Sequence, residues 1–149
     1  MGRTATIFLA AMLFVPLAHA ASSTDHLNVF NNMAQETVEC AAYFGIMSVA
    51  LENSNDTEGA KKYKEVMLNA LKRAAMVTEK AGLKPETVHA RFQIAADDMM
   101  KRIDKNTSNV SILMTHYKEP CIEVMTDVEK RGRYWMERGL KRFEDGLPR

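Results

Sequence analysis

Two cysteines, Cys40 and Cys121, stand 81 positions apart, and the 149-residue chain has no others. That separation is too wide for a C-x-x-C redox pair or a zinc knuckle. Four roles are open to Cys40: core filler, nucleophile, metal ligand or half of a bridge. A nucleophilic cysteine needs a base, and beyond the first twenty residues only His26, His89 and His116 offer one. No cysteine-protease signature surrounds Cys40. In an oxidising compartment, two cysteines read as one bridge with a single connectivity. Closing so long a loop would constrain the unfolded chain by roughly 4–5 kcal/mol, comparable with the whole stability of a small domain. The bridge Cys40–Cys121 is the expectation.

The start of the chain points to that compartment. MGRTATIFLAAMLFVPLAHA has one basic residue, Arg3, then an apolar run from Ile7 to Val15, and Ala18-His19-Ala20 where a signal peptidase reads. The run falls short of the roughly 20 apolar residues that a membrane span requires. Residues 1–20 are predicted to be a cleaved signal peptide and 21–149 a single helical domain. The short leader is of bacterial type, so the expected location is the periplasm of a Gram-negative cell, or otherwise the medium. No later run is long and uncharged enough to insert into a membrane.

Loss of residues 1–20 from 149 leaves 129 residues, with 19 basic against 19 acidic. A chain of this length buries about two-thirds of its unfolded surface, enough for one core. Balanced charge argues against a nucleic-acid binder, which shows a basic excess on one face. The distribution is uneven: residues 128–149 carry seven basic and four acidic groups, on a body acidic by three. A solvated helix end docked by charge on its own body accounts for this better than a membrane-surface patch does.

Helical spacing dominates everything after Ala21. Phe30, Met33, Ala34, Val38, Ala41, Phe44 and Leu51 mark a first helix reaching about Glu52. NSNDTEG is a loop, with Asp56 or Thr57 capping a second helix that Gly82 ends. Pro85 opens a third, with Val88, Phe92, Ala95, Met99 and Ile103 as its stripe. The passage DKNTSN, 104–109, is ambiguous: its residues favour a break, yet the apolar phase runs through it to Tyr117. A straight helix to Tyr117 would leave Cys121 roughly 20 Å above Cys40, beyond the reach of a bridge. A break there is preferred over a strong tilt or a bend at Gly45. Pro120 sets a boundary at Glu119. A last segment carries Ile122, Met125, Val128, Trp135 and Leu140, and 141–149 is expected to fray. The fold class is all-α: an antiparallel bundle of about four helices, stapled by one disulfide.

His89, Gln93 and Asp97 fall at i, i+4 and i+8, and with Met99 and Met100 offer donors for a metal. No recognised ligand motif supports them, so a solvated polar face is the better account. Nine methionines follow the leader, and Met33, Met67, Met99, Met114 and Met125 sit on apolar faces as core fillers. A flexible Met-rich groove for a partner helix is the functional alternative. Tyr134 and Trp135 among Arg131, Arg133 and Arg138 form the most interface-like cluster, since Trp, Tyr and Arg dominate binding hot spots. A Trp135 that caps the core explains it at least as well. Three Asn-x-Ser/Thr sequons, at Asn55, Asn106 and Asn109, matter only in a eukaryotic host.

In size and composition the chain resembles small exported helical proteins, acid-stress chaperones and immunity proteins among them, with no shared motif. Such a likeness assigns no function; because no nucleophile–base or metal-ligand motif appears, the expected function is non-catalytic protein binding, as an inhibitor, immunity or accessory factor, with no cofactor. The alternative is a small-ligand or metal carrier that uses the bundle interior. The partner's identity and the oligomeric state are not legible.

Overall fold

The computed structural model describes residues 23–144; the expected leader, 1–20, lies outside them, as do residues 145–149. Five helices follow one another: α1, Ser23–Asn53; α2, Thr57–Lys80; α3, Thr87–Arg102; α4, Ser111–Thr126; and α5, Val128–Glu144. A 3-10 turn, Thr107–Asn109, precedes α4, and no strand occurs among the described residues.

The four-arm expectation holds, with the fourth arm divided in two. α2 returns along α1, so that Ser48 donates to the Ala60 carbonyl at 2.8 Å, and Val38 meets Ala74. α3 runs alongside α1 in its own direction, with Arg91 donating to Asn31 at 2.8 Å and Asn53 to Thr107 at 3.0 Å. α4 and α5 then descend in turn, placing Cys121 opposite Cys40 and Arg131 beside Glu36.

α1 is the axis. From Met33 to Ser48 all but three of its residues are buried, and it packs against every other helix. The sequence explains this: from Cys40 to Leu51 only Gly45 and Ser48 interrupt an otherwise apolar run, and a helix apolar all round belongs inside. The main core gathers Tyr43, Phe44, Ile46 and Met47 with Ala70, Met99, Ile103, Leu113 and Val124. A separate cluster, Met33, Ala34 and Val77 under Trp135 and Phe30, fills the far end.

The bridge is present. Cys40 and Cys121 are both buried, with Cα atoms 5.2 Å apart, inside the range a disulfide allows. It ties the middle of α1 to α4.

Three helices end in the same way. The amide of Asp56 donates to Leu51 (2.9 Å), that of Leu83 to Thr78 (3.1 Å) and that of Lys105 to Met100 (2.7 Å). Each is the six-to-one bond of a Schellman ending, which needs a left-handed residue just before it. Asn55, Gly82 and Asp104 supply those residues, with φ of 65°, 72° and 54°. The third of these endings, with Lys105 also left-handed at φ 56°, is the break within 104–109. Asp104, which tolerates left-handed backbone, and Asn106, whose side chain accepts from the Ser108 amide at 3.0 Å, outweigh the unbroken apolar phase there.

Pro120 departs from expectation. It lies inside α4, and the boundary falls at Asp127 instead. His116, whose carbonyl loses its donor to the proline, is exposed, while Leu113, Cys121 and Val124 hold α4 in the core. Asp127 supplies the true break: its carboxylate accepts from the Lys130 amide at 2.9 Å and caps α5. Ile122 and Val128 are exposed: Ile122 is out of phase with the Leu113, Cys121 and Val124 stripe of α4, and Val128 begins α5 after the break. Met114, expected as a core filler, is also on the surface.

Candidate functional site

α2 and α3 both pack on α1, and where they diverge an apolar groove of about 360 Å³ remains. Ala42, Gly45, Ile46 and Val49 form its floor, at the i, i+3, i+4, i+7 positions of one helical face. Met67 of α2 makes one wall; Phe92, Ala96 and Met100 of α3 make the other; Thr107 closes the end. Gly45 keeps the floor deep, because a Cβ there would lie 3.0 Å from the Met67 sulfur and 3.8 Å from the Phe92 ring. Val49 is half exposed. Lys64, three residues before Met67, and Asp97, three before Met100, are exposed and enter no ion pair among the described residues. Two thioethers and an aromatic ring over a glycine make an adaptable apolar slot. The sequence carried the hint of a Met-rich groove, but which methionines would line it depended on packing.

The arginine–aromatic cluster on α5 is turned largely inward. Glu36 of α1, nearly buried, accepts from Arg131 Nε at 2.9 and 2.8 Å, one for each oxygen. It also accepts from Arg131 Nη2 and from Trp135 Nε1 at 2.8 Å. The hydrogen bonds to Glu36 shift the Arg131 guanidinium still further towards its charged form. Its other face lies 3.9 Å over the Tyr134 ring, a cation–π contact. Trp135 covers Met33, Ala34 and Val77. Arg138 is exposed and bonds the Tyr134 hydroxyl. Glu123 and Lys130 pair at the edge, and each holds the other charged: the Glu123 carboxyl lies below its usual range and the Lys130 ammonium above. The residue that organises the cluster, Glu36, is 95 positions from Arg131 and carried no local signal.

The metal candidates are not brought together. His89 and Asp97 are exposed on α3, Met99 is buried in the main core and Met100 faces the groove. His89 and Asp97 stand about 12 Å apart along the helix, and Met99 is turned into the core.

Among the described residues no helix is long and apolar enough to cross a membrane. Tyr43, buried beside Tyr117 and Phe44, has its hydroxyl pKa pushed up to about 12, by burial first and by neighbouring Tyr63 second. It serves the core and reaches no open surface. No known protein family, no curated protein and no solved structure matches this chain.

Proposed function

We propose that the chain is an exported, non-catalytic binding protein whose groove between α1, α2 and α3 receives an amphipathic helix of another protein. The groove itself carries the reading: Met67, Phe92 and Met100 over the Gly45 floor can seat two or three large apolar side chains at helical spacing. Lys64 and Asp97, unpaired on α2 and α3, favour a partner helix with an acidic residue on one flank and a basic one on the other. Cys40, the candidate nucleophile, is used in the bridge, which supports binding over catalysis. A buried disulfide and the predicted leader support export to the periplasm. Inhibitor, immunity or accessory factor are the roles such binding serves. The groove is a better binding surface than the Trp135 cluster, because Arg131 and Trp135 are committed to Glu36.

A carrier of a small apolar molecule is the second reading, favoured by the groove's volume, near the lower end of ligand pockets. The two separate in one experiment. A photo-crosslinking residue is placed at Val49, or at Tyr134, and the protein is exported in its own host. The expected product is a discrete protein adduct at Val49 only, mapped to a helical segment with apolar residues three and four apart, and lost in Met67→Glu. A small-molecule adduct at Val49 would establish the carrier reading. A protein adduct at Tyr134 alone would return the surface to α5.

A further inference from the structure

The disulfide closes a covalent loop from Cys40 to Cys121. Phe30, Met33 and Ala34 precede that loop and Trp135 follows it; only Val77 of the second cluster lies within it. The main core, by contrast, lies almost wholly inside the loop, with Val124 and Met125 just beyond it. The body of the bundle is therefore cross-linked at mid-height, whereas the end beside Phe30 and Trp135 is closed by side chains alone.

We infer that α5 is a clasp that opens as a unit, together with the first turns of α1, while the bridged body stays folded. Three features carry this. The junction between α4 and α5 is a single residue, Asp127, with non-helical φ −137° and ψ 75°, a ready hinge. The polar hold of α5 on α1 rests on one carboxylate, since Arg131 and Trp135 both bond to Glu36. Glu123 pairs with Lys130 and Arg131 only across the hinge itself, and among the described residues Arg91 to Asn31 is the one further polar tie on the first turns of α1. The apolar hold is the small second cluster, which is distinct from the main core. The outward face of α5 needs no support, carrying Lys130, Arg133, Glu137, Arg138 and Lys141 exposed to solvent. Opening uncovers Phe30, Met33, Val77 and Trp135, a second apolar surface at the opposite end of the molecule from Thr107 and the groove's closed end. This inference is independent of what the groove binds.

Native-state hydrogen exchange on the bridged protein tests it, read by mass spectrometry at increasing urea. Residues 23–36 and 128–144 are expected to exchange through one shared opening with shallow urea dependence, at least roughly tenfold more populated than opening of the body. Equal protection and equal urea dependence in both parts would overturn the clasp. Glu36→Gln is expected to raise exchange about tenfold in those two segments and to leave the α4 segment around Leu113 unchanged. An equal rise throughout would mean that Glu36 ties the whole bundle, and would also refute the proposal. Trp135, the sole tryptophan, gives a second readout: its fluorescence is expected to change at lower urea than the helical signal, and coincident transitions would count against a separate clasp.

Discussion

Gly45 sits in the middle of a buried helix, where glycine is about 1 kcal/mol worse than alanine. An added Cβ there meets the flexible end of Met67 and fills the groove floor. Gly45→Ala is expected to hold or raise stability by up to about 1 kcal/mol while weakening occupancy of the groove. Urea unfolding and the Val49 crosslink, measured on one variant, separate the two effects; full crosslinking in Gly45→Ala would show the floor to be irrelevant. Tyr43 gives a pH prediction. Its hydroxyl ionises near pH 10 in the unfolded chain and near 12 in the fold, so the fold holds its proton when the unfolded chain has lost it. Stability present below pH 10 is then lost as pH rises towards 12, by roughly 2–3 kcal/mol. Tyr43→Phe should remove most of that slope in urea midpoints taken at pH 9 and 11.5. Tyr117, raised by burial as well, leaves a remainder; an undiminished slope would mean that Tyr43 does not carry it. Neither role was legible in the sequence, where Gly45 is only a potential bend and Tyr43 one apolar residue among many. Both depend on which distant side chain lies opposite.

At the scale of the helix, ends were more legible than middles. Asp56 and Gly82 announce their turns by residue type alone, because few residues accept a carboxylate cap or a left-handed backbone. Gly59 completes the first: a Cβ there would collide with the Asp56 carboxylate that caps its own amide. Pro120 misleads for the complementary reason, since the preference against helix before proline is local and the burial of Cys121 and Val124 overrides it. Proline inside a helix still costs about 3 kcal/mol against alanine. Pro120→Ala is therefore expected to stabilise the protein by up to that amount; a loss of stability would mean that the proline shapes α4 to deliver Cys121 to Cys40. The far end of α4 is finished from outside. Arg73 of α2 donates to the Val124 and Met125 carbonyls at 2.6 and 3.1 Å, two of the four acceptors that a helix leaves unpaired. Arg73→Met should lower stability by roughly 1.5–3 kcal/mol, seen as a lower urea midpoint at unchanged slope. An arginine 51 residues away is a cap that no local pattern reveals.

Across the whole molecule, the cysteine pair was the most informative sequence feature. Its required proximity selected a broken third arm over a straight one, against the apolar phase. Replacing both cysteines with alanine is expected to lower stability by about 2–5 kcal/mol, with the urea midpoint as the measure. A midpoint within error of the bridged protein would mean that packing alone positions α4. The arrangement of arms followed from loop positions and helical faces, whereas the groove and the Glu36 cluster arise from three or more arms meeting and have no one-dimensional trace. Two of the connections also lack slack. Asp56 closes α1 and caps α2, and Asp127 does the same for α4 and α5. An extra residue at Asp127 would rotate α5 by about 100° and swing Arg131 and Trp135 off Glu36. Extra length is therefore tolerated at 104–106, exposed residues where a turn already absorbs irregular backbone, and is excluded at the two aspartates. Natural variation in chain length, and any fluorescent or affinity insert placed by an experimenter, belongs at that one corner.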